Sequence, residues 1–341
     1  MTNSLRDRIA VILMQPGQPA ADGLVLPYLR ALLAAARPRP PSLPLRPLLG
    51  LRARLLARHF VLDEMAAVVE EPMEGALENA LWGDGIVRVF TAGLFAPPSP
   101  IAIAHEVVAF KPDRLVLVPP SPLFSGGLNG MALQAWHRAA NAAGLDVPTS
   151  SLCCHPTDAA VLRALSLRTG EVLAPGGTGS LLLVTPGTGW AGGDPLSWQM
   201  GRLAGELAKL MDVPAARIAT ARLDVPGFDE GGMLSVEQAI RRCRTPSLAI
   251  LPLSPWPLIR AQWADFEGEW RDLGAASGIL SLTLARPALA EGGELAPLVR
   301  QALAGRAGVC AGFGRRLCPD NHAHCPYRRM AVAAMRDAAM A

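Results

Sequence analysis

Short apolar runs alternate with longer amphipathic stretches along most of this 341-residue chain. A run of four to eight apolar residues between turn signals is typical of a buried strand, and a longer run with helical periodicity is typical of a helix that covers a sheet. This alternation predicts βα units wound into parallel sheets. The predicted strands cover residues 10–14, 86–91, 115–118, 181–184, 218–223 and 248–251. The predicted helices cover residues 26–36, 72–81, 102–110, 131–143, 196–211 and 235–243.

The alternation restarts after a turn-rich stretch that contains Pro175-Gly176-Gly177. We therefore predict an α/β protein with two doubly wound, Rossmann-like domains that face each other across a cleft. The first domain is assigned to residues 1–172 and the second to residues 173–300, with a cysteine-bearing extension at residues 301–341. Ligands of such sheets bind beyond the carboxyl ends of the strands, so the functional site is expected there.

Charge and hydropathy argue against a nucleic-acid partner and against a membrane-spanning segment. A net charge of +3 is too weak a field to indicate nucleic acid as a partner. No apolar run approaches the ~20 residues that a membrane span needs. The first residues show no signal-peptide pattern, so a cytoplasmic location is expected.

One segment has an unusual charge pattern. Residues 23–62 hold seven Arg and no acidic residue, with Leu, Pro and Ala between them. A solvated helix and loop whose Arg stems cover apolar surface would explain this composition. The alternative is a surface that contacts an apolar anionic ligand or the periphery of a membrane.

Three of the six cysteines, Cys310, Cys318 and Cys325, lie within sixteen residues near the C-terminus. In a reducing compartment such a cluster indicates metal or redox chemistry. Three thiolates need a fourth ligand, and His322, His324 or the Cys153-Cys154 pair could supply it. Three thiols that hold no metal are the alternative.

Residues 187–192 read Gly-Thr-Gly-Trp-Ala-Gly and follow a predicted strand, as a dinucleotide-binding loop would. The third Gly of that motif should lie inside the helix that follows. Here Gly193-Asp194-Pro195 interrupts the chain instead, with Asp194 as the expected N-cap and Pro195 at the first helical position. A nucleotide-binding α/β enzyme is therefore a third-ranked hypothesis.

Residues 118–125 read Val-Pro-Pro-Ser-Pro-Leu-Phe-Ser, and a Gly-Gly turn and a helix follow. This segment resembles the ferrochelatase signature, in which a strand ends in Leu-Pro-Leu-Tyr-Pro-Gln-Tyr-Ser. Residues 15–19, Gln-Pro-Gly-Gln-Pro, are similar to the family's opening Asn-Leu-Gly-Gly-Pro. Cys153-Cys154-His155-Pro156 resembles a Cys-Cys-Tyr-Pro turn of some bacterial members, and residues 193–195 match the family's Gly-Asp-Pro-Tyr loop. The resemblances occur in the family's order and span about residues 8 to 300.

The resemblance implies a chelatase-like fold and a protein of heme biosynthesis, a process in which ferrochelatases insert ferrous iron into protoporphyrin. It also implies porphyrin or heme as the partner, with Gln15, Ser125 and Arg222 as substrate-binding residues. Several ferrochelatases carry a [2Fe-2S] cluster on three C-terminal cysteines and one internal cysteine. The corresponding ligands here are Cys154, Cys310, Cys318 and Cys325, with zinc as the alternative metal.

The sequence departs from the family at its two catalytic positions. The family's His follows the first strand of the second domain, and its Glu lies downstream of the third strand; Pro186 and Ala261 align with them. Neither side chain can move a proton. Two readings follow from the resemblance: a ferrochelatase-family protein with impaired iron insertion, or a non-catalytic relative that binds a tetrapyrrole or senses redox state.

Overall fold

A computed structural model describes residues 7–17, 19, 22–35, 46–57, 73–119, 121–124, 129–152, 154–170, 172–173, 177–186, 195–223, 233–253, 257–285 and 292–304. These residues form two parallel sheets with helices on both faces of each, which confirms the predicted α/β fold class. Within these ranges, no helix is both long and apolar enough to cross a membrane.

The first sheet has four strands in the order β2-β1-β3-β4, all parallel. They are β1 (Arg8–Gln15), β2 (Ile86–Gly93), β3 (Arg114–Val118) and β4 (Thr149–Ser151). Strand β1 lies between β2 and β3, and six of its eight residues are buried. A strand covered on both faces is apolar throughout, which is why β1 reads as an unbroken apolar run in the sequence.

The second sheet has five parallel strands in the order β7-β6-β5-β8-β9. They are β5 (Gly179–Pro186), β6 (Ile218–Leu223), β7 (Leu234–Ser235), β8 (Ser247–Pro252) and β9 (Ser281–Leu284). Strand β5 is central here, as β1 is in the first sheet. In each sheet the strand order reverses at the central strand, which is where doubly wound proteins bind ligands.

Ten α-helices connect and cover these strands within the described residues. They are α1 (Asp22–Ala35), α2 (Arg46–Ala57), α3 (Met73–Ala80), α4 (Pro100–Phe110), α5 (Met131–Ala142), α6 (Ala159–Thr169), α7 (Leu196–Leu210), α8 (Val236–Arg242), α9 (Pro257–Ala276) and α10 (Ala296–Leu303). Local sequence determines several helix starts. Ser99 caps α4, Asp158 caps α6, and Ser235 forms a capping box with Gln238 at α8.

Some helices pack on a different sheet from the strand that precedes them in the chain. On the first sheet, α3 and α10 cover one face, and α4 and α5 cover the other. On the second sheet, α1, α2, α8 and α9 share one apolar cluster with the strands, and α6 and α7 share the other. Helix α1 follows a first-sheet strand but packs with the second sheet, and α10 returns from the second sheet to the first. The two halves are therefore interlocked through their helices.

Candidate functional site

The ends of β1 and β2 are joined by backbone hydrogen bonds beyond the strands themselves. The amide of Leu94 donates to the carbonyl of Gln15 at 2.8 Å, and the amide of Phe95 donates to the carbonyl of Pro16 at 3.0 Å. Gly17 has φ +83°, a conformation that favours glycine, and its α-carbon faces the backbone of Ala96. The first sheet thus ends in two loops that are hydrogen-bonded to each other.

Helix α1 is anchored to the same loops through Tyr28. Its hydroxyl donates to the carbonyl oxygen of Gly17 at 3.0 Å, and its ring meets the ring of Phe95 edge-on with centroids 6.4 Å apart. Burial raises the pKa of the Tyr28 phenol, so the hydroxyl stays protonated as a hydrogen-bond donor. The anchor fixes the start of the Arg-rich segment beside the end of β1.

The segment 121–124, which follows β3, is held from both halves of the protein. The amide of His155 donates to the carbonyl of Pro122 at 2.9 Å. The amide of Phe124 donates to the side-chain oxygen of Gln199 at 2.7 Å. Gln199 is fully buried and belongs to α7, which packs on the second sheet. This hydrogen bond therefore ties the end of the first sheet to the second half of the chain.

Buried polar side chains concentrate at this junction. The described residues include nine buried polar or charged residues, of which five lie in this region: Ser121, Asn129, His155, Asp158 and Gln199. Burying a polar group is unfavourable unless it is hydrogen-bonded, so such groups are uncommon in a core that serves packing alone. Their concentration beyond the ends of β3 and β4 marks this junction as the candidate site.

His155 differs from the other polar residues of the site. Only 2% of it is exposed, and neither Nδ1 nor Nε2 has a hydrogen-bond partner among the described residues. Burial lowers the pKa of its imidazole from 6.5 to about 4, so the ring is neutral at physiological pH. Its backbone is fixed at both ends, because its carbonyl also accepts from the amide of Asp158 at 3.2 Å.

The predicted substrate-binding residues lie on different sheets. Gln15 is the last residue of β1, is half-buried, and donates through Nε2 to the sulfur of Met73 at 3.7 Å. Arg222 lies in β6, half-buried, with Thr185 and Ser235 opposite it on the neighbouring strands. Ser125 lies outside the described residues, as does the glycine pattern at 187–192.

The two residues predicted to stand at the family's catalytic positions both lie in the second half of the chain. Pro186 is the last residue of β5, and Ala261 lies near the start of α9. The segment after β8 begins with the buried Leu253, whose amide donates to the carbonyl of Val184 at 2.9 Å. Among the described residues at the carboxyl ends of β5 and β8, none has an ionisable side chain.

Cys154, the predicted internal ligand of a metal cluster, lies after β4 and is buried. Cys310, Cys318 and Cys325 lie outside the described residues. In the part of the chain that is described, no three His, Cys, Asp or Glu side chains come together in a way that could hold a metal ion. The [2Fe-2S] cluster and the zinc alternative therefore stay predictions.

Part of the Arg-rich segment forms an apolar and basic surface on α1 and α2. Leu24, Leu51 and Leu55 are exposed, and Arg30 and Arg54 are exposed on the same two helices. This composition suits an anionic, apolar partner. Peripheral membrane contact stays a prediction.

Two solved structures share this fold. SirB from Bacillus subtilis, solved with Fe3+, superposes with a TM-score of 0.56 at 15% identity, over 88% of this chain and 99% of that chain. The sirohydrochlorin chelatase SirB of the subspecies spizizenii, solved with cobalt, gives a TM-score of 0.50 at 12% identity, over 88% of this chain and 96% of that chain.

The chain has the chelatase fold. The sequence comparison agrees: a protein named ferrochelatase from Hyphomonas neptunium is 27% identical over 224 residues, which are 59% of this chain and 60% of that protein. Another from Phenylobacterium zucineum is 26% identical over 265 residues, which are 72% of this chain and 73% of that protein. No protein-family profile matches the chain. Fold and sequence together support the chelatase superfamily, and they support the predicted ferrochelatase resemblance at that coarser level.

Two residues of this junction, His155 and Gln199, have no predicted role in the sequence analysis. His155 takes the place of Tyr in the Cys-Cys-Tyr-Pro turn, and Gln199 follows Trp198 at the start of α7. The signal that the sequence offers for such residues is a polar residue within an otherwise apolar motif at the end of a strand. Its burial, however, depends on segments distant in the chain.

Proposed function

We propose that this chain is a ferrochelatase-like protein of heme biosynthesis that binds porphyrin or heme at the carboxyl ends of its sheets and inserts iron slowly or not at all. The observation that carries the proposal is a contrast within one molecule. The chelatase fold is complete in two sheets, yet Pro186 and Ala261 stand at the positions that align with the family's proton-transferring His and Glu.

The chemistry of metal insertion explains why these two residues matter. A porphyrin must lose two pyrrole protons as the metal ion enters, so insertion needs a positioned group that accepts protons. Pro and Ala offer none, and the described ends of β5 and β8 hold no ionisable side chain in their place. Losing a positioned acid or base typically lowers a rate by 10²- to 10⁴-fold.

Binding does not require that proton transfer, and the groups that would support it are present. Leu94 and Phe95 are half-buried apolar residues just beyond β2, and they suit the flat apolar face of a macrocycle. The guanidinium groups of Arg30 on α1 and Arg222 in β6 suit the carboxylates of propionate side chains. Binding of a tetrapyrrole is therefore expected to persist where insertion is lost.

Titration of the protein with protoporphyrin, followed by fluorescence quenching, tests this proposal. We expect saturable binding in the micromolar range, which Phe95→Ser weakens because it removes an aromatic contact surface. Val108→Ser is the matched control, since Val108 is exposed on α4, away from the strand ends. If no saturable binding occurs below about 100 μM, about 5.5 kcal/mol in affinity, the proposal is wrong.

We further propose that Cys154, Cys310, Cys318 and Cys325 hold a [2Fe-2S] cluster, with zinc as the alternative metal. Cys154 suits this role because its thiol is buried at the ligand-binding end of the first sheet, where a cluster is sheltered from water. Such a cluster would clamp the C-terminal segment onto the first domain and supply a redox-sensitive centre.

Anaerobically purified protein is expected to be red-brown, with about two irons and two acid-labile sulfides per chain. Cys318→Ser should remove iron and sulfide together, and Cys243→Ser, which alters a half-buried cysteine beside Thr245, should remove neither. A colourless, metal-free wild-type protein that folds equally well without the three tail cysteines would contradict this proposal.

A further inference from the structure

Helix α2 presents leucines to solvent on the face where a surface helix usually carries polar residues. Ala53 and Ala57 lie on its inner face and pack in the apolar cluster of the second sheet. Leu51 and Leu55, one turn apart on the opposite face, are 54% and 49% exposed. In a surface helix of a globular protein, that face normally carries charged or polar side chains. Packing in this fold therefore does not account for the two leucines.

Helix α1 extends this exposed face. It packs against α2, and the guanidinium group of Arg30 lies over Gly50, since a Cβ at Gly50 would be 3.7 Å from its Nη2. Arg30 is thus beside Leu51 in space, although it belongs to the other helix. We call the exposed side chains of the two helices the α1–α2 surface: Leu24, Arg30, Leu51, Arg54 and Leu55.

The charge carried by this part of the chain has a single sign. Residues 23–62 contain seven Arg and no acidic residue, and Asp22 and Asp63 flank the stretch. Arg stems that served only to cover apolar surface would shield the leucines beside them. Leu51 and Leu55 stay about half exposed, so shielding does not explain the composition. A positively charged surface with exposed leucines attracts an anionic partner that also has an apolar part.

The residue types indicate what kind of partner this is. The centres of protein–protein interfaces are enriched in aromatic residues, and the α1–α2 surface has none. Leucine and arginine together are typical of helices that lie in the plane of a bilayer. Leucine side chains enter the boundary between headgroups and acyl chains, and arginine side chains are attracted to anionic headgroups. The surface therefore fits a bilayer better than it fits another protein.

We propose that the α1–α2 surface binds the surface of an anionic phospholipid bilayer. Leu51 and Leu55 enter the headgroup boundary, Leu24 adds to the apolar contact, and Arg30 and Arg54 bind lipid phosphates. The contact is peripheral, with α1 and α2 lying along the membrane. This proposal does not depend on tetrapyrrole binding, since none of its evidence comes from the strand ends.

Co-sedimentation of the full chain with lipid vesicles tests the proposal. Wild-type protein is expected to sediment with phosphatidylcholine vesicles that contain about 30% phosphatidylglycerol, and to stay in solution with pure phosphatidylcholine vesicles. Binding should weaken as salt is added, because salt screens the arginines. Leu51→Ser/Leu55→Ser should bind at least ~10-fold more weakly, since it removes apolar contact with the bilayer. Arg54→Gln should bind about fivefold more weakly.

Leu167→Ser/Leu210→Ser is the matched control, because Leu167 and Leu210 are exposed on α6 and α7, and it should bind vesicles as the wild type does. All these variants change exposed side chains, so their urea unfolding should match that of the wild type. Failure of the wild type to bind the anionic vesicles, or equal binding by Leu51→Ser/Leu55→Ser, would refute the proposal.

Two further measurements separate this proposal from its alternatives. Sedimentation velocity without vesicles should show no dimer that Leu51→Ser/Leu55→Ser abolishes; such a dimer would mean that a second copy of the chain covers the leucines, and the proposal would be wrong. Protoporphyrin quenching without vesicles should be the same for the wild type and Leu51→Ser/Leu55→Ser. Loss of porphyrin binding in the wild type would refute the proposed function and not the membrane contact.

Discussion

The carboxyl ends of the two sheets have the same topology but different chemistry. Beyond the first sheet, Ser121 and His155 belong to a buried polar cluster that Gln199 ties to the other half of the chain. Beyond the second sheet, the described ends of β5 and β8 carry Pro186 and the buried Leu253. Apolar strands and covering helices maintain both sheets, whereas the strand-end side chains determine the chemistry. The proposed function requires that a chelatase fold can persist after one of its two ends has lost its proton-transferring groups.

The largest expected effect comes from disrupting the strand ends of the first sheet while those of the second sheet are left intact. A Cβ at Gly93 would collide with the carbonyl oxygen of Ala96, and the amide of Gly93 is fixed by donating to the carbonyl of Pro98 at 2.7 Å. Gly93→Val should lower the free energy of unfolding by about 3 kcal/mol and abolish protoporphyrin binding. Urea denaturation and the quenching titration measure both.

Gly75→Ala is the control for this change, because a Cβ at Gly75 in α3 meets no atom within 4 Å. It should raise the free energy of unfolding by about 0.5 kcal/mol, since alanine is the better helix former. A Gly93→Val protein as stable as the wild type would show that the loops of the first sheet are not closely packed.

The pH dependence of stability sharpens the contrast at His155. The unfolded chain binds a proton at this residue below about pH 6.5, whereas the folded chain does so only near pH 4. The stability of the folded chain is therefore unaffected by protonation of this residue above about pH 6.5. As the pH falls from 6.5 to 4, the unfolded chain binds a proton that the folded chain does not, and the free energy of unfolding falls by up to about 3 kcal/mol. The free energy of unfolding of wild type and His155→Phe should be measured by urea titration at pH 7 and pH 5. The value for the variant, relative to the wild type, should be higher at pH 5 than at pH 7.

Gln134→Leu is the control for the pH experiment, because Gln134 is exposed on α5 and has no titratable group. Its stability relative to the wild type should be the same at both pH values to within about 0.5 kcal/mol. A His155→Phe protein whose relative stability does not change with pH would mean that the ring is hydrated or paired in the folded protein.

A smaller effect is expected where the two halves meet. Gln199→Leu removes the acceptor for the buried amide of Phe124, and an unpaired buried donor costs about 1–3 kcal/mol, so we expect a loss of about 2 kcal/mol. Gln134→Leu alters an exposed residue of α5 and should change stability by less than about 0.5 kcal/mol. Equal losses in thermal or urea unfolding would show that Gln199 does not join the two halves.

The sequence predicted the interior strands of both sheets because each contains a run of mostly apolar residues. The predicted strand at 218–223 agrees with β6 to the residue, and the prediction at 10–14 lies within β1. The short edge strands β4, β7 and β9 were not predicted. They are four residues long or shorter and partly exposed, so neither apolar periodicity nor length distinguishes them from loops. The return of α10 to the first sheet could not be predicted because it depends on contacts with residues far away in the chain.

The candidate site was predictable only in part. Motif resemblance predicted Gln15 and Arg222 as substrate-binding residues; both lie on strands of the two sheets, and their binding role stays a prediction. It could not show that His155 is buried with unsatisfied nitrogens, because that depends on Pro122 and on the start of α6 as the folded chain places them. Whether a buried side chain has hydrogen-bond partners depends on the tertiary structure, and the local sequence carries no signal for it.

The rate of ferrous iron insertion tests the central claim most directly. It should be measured at saturating protoporphyrin, beside a ferrochelatase that has both catalytic residues, on a preparation shown by quenching to bind the porphyrin. If Pro186 and Ala261 stand at the catalytic positions, as the resemblance predicts, insertion should be at least ~100-fold slower than in that enzyme, while saturable binding is retained. Insertion within a few-fold of that enzyme would contradict the account, since it would mean that the second sheet still supplies the proton-transfer groups.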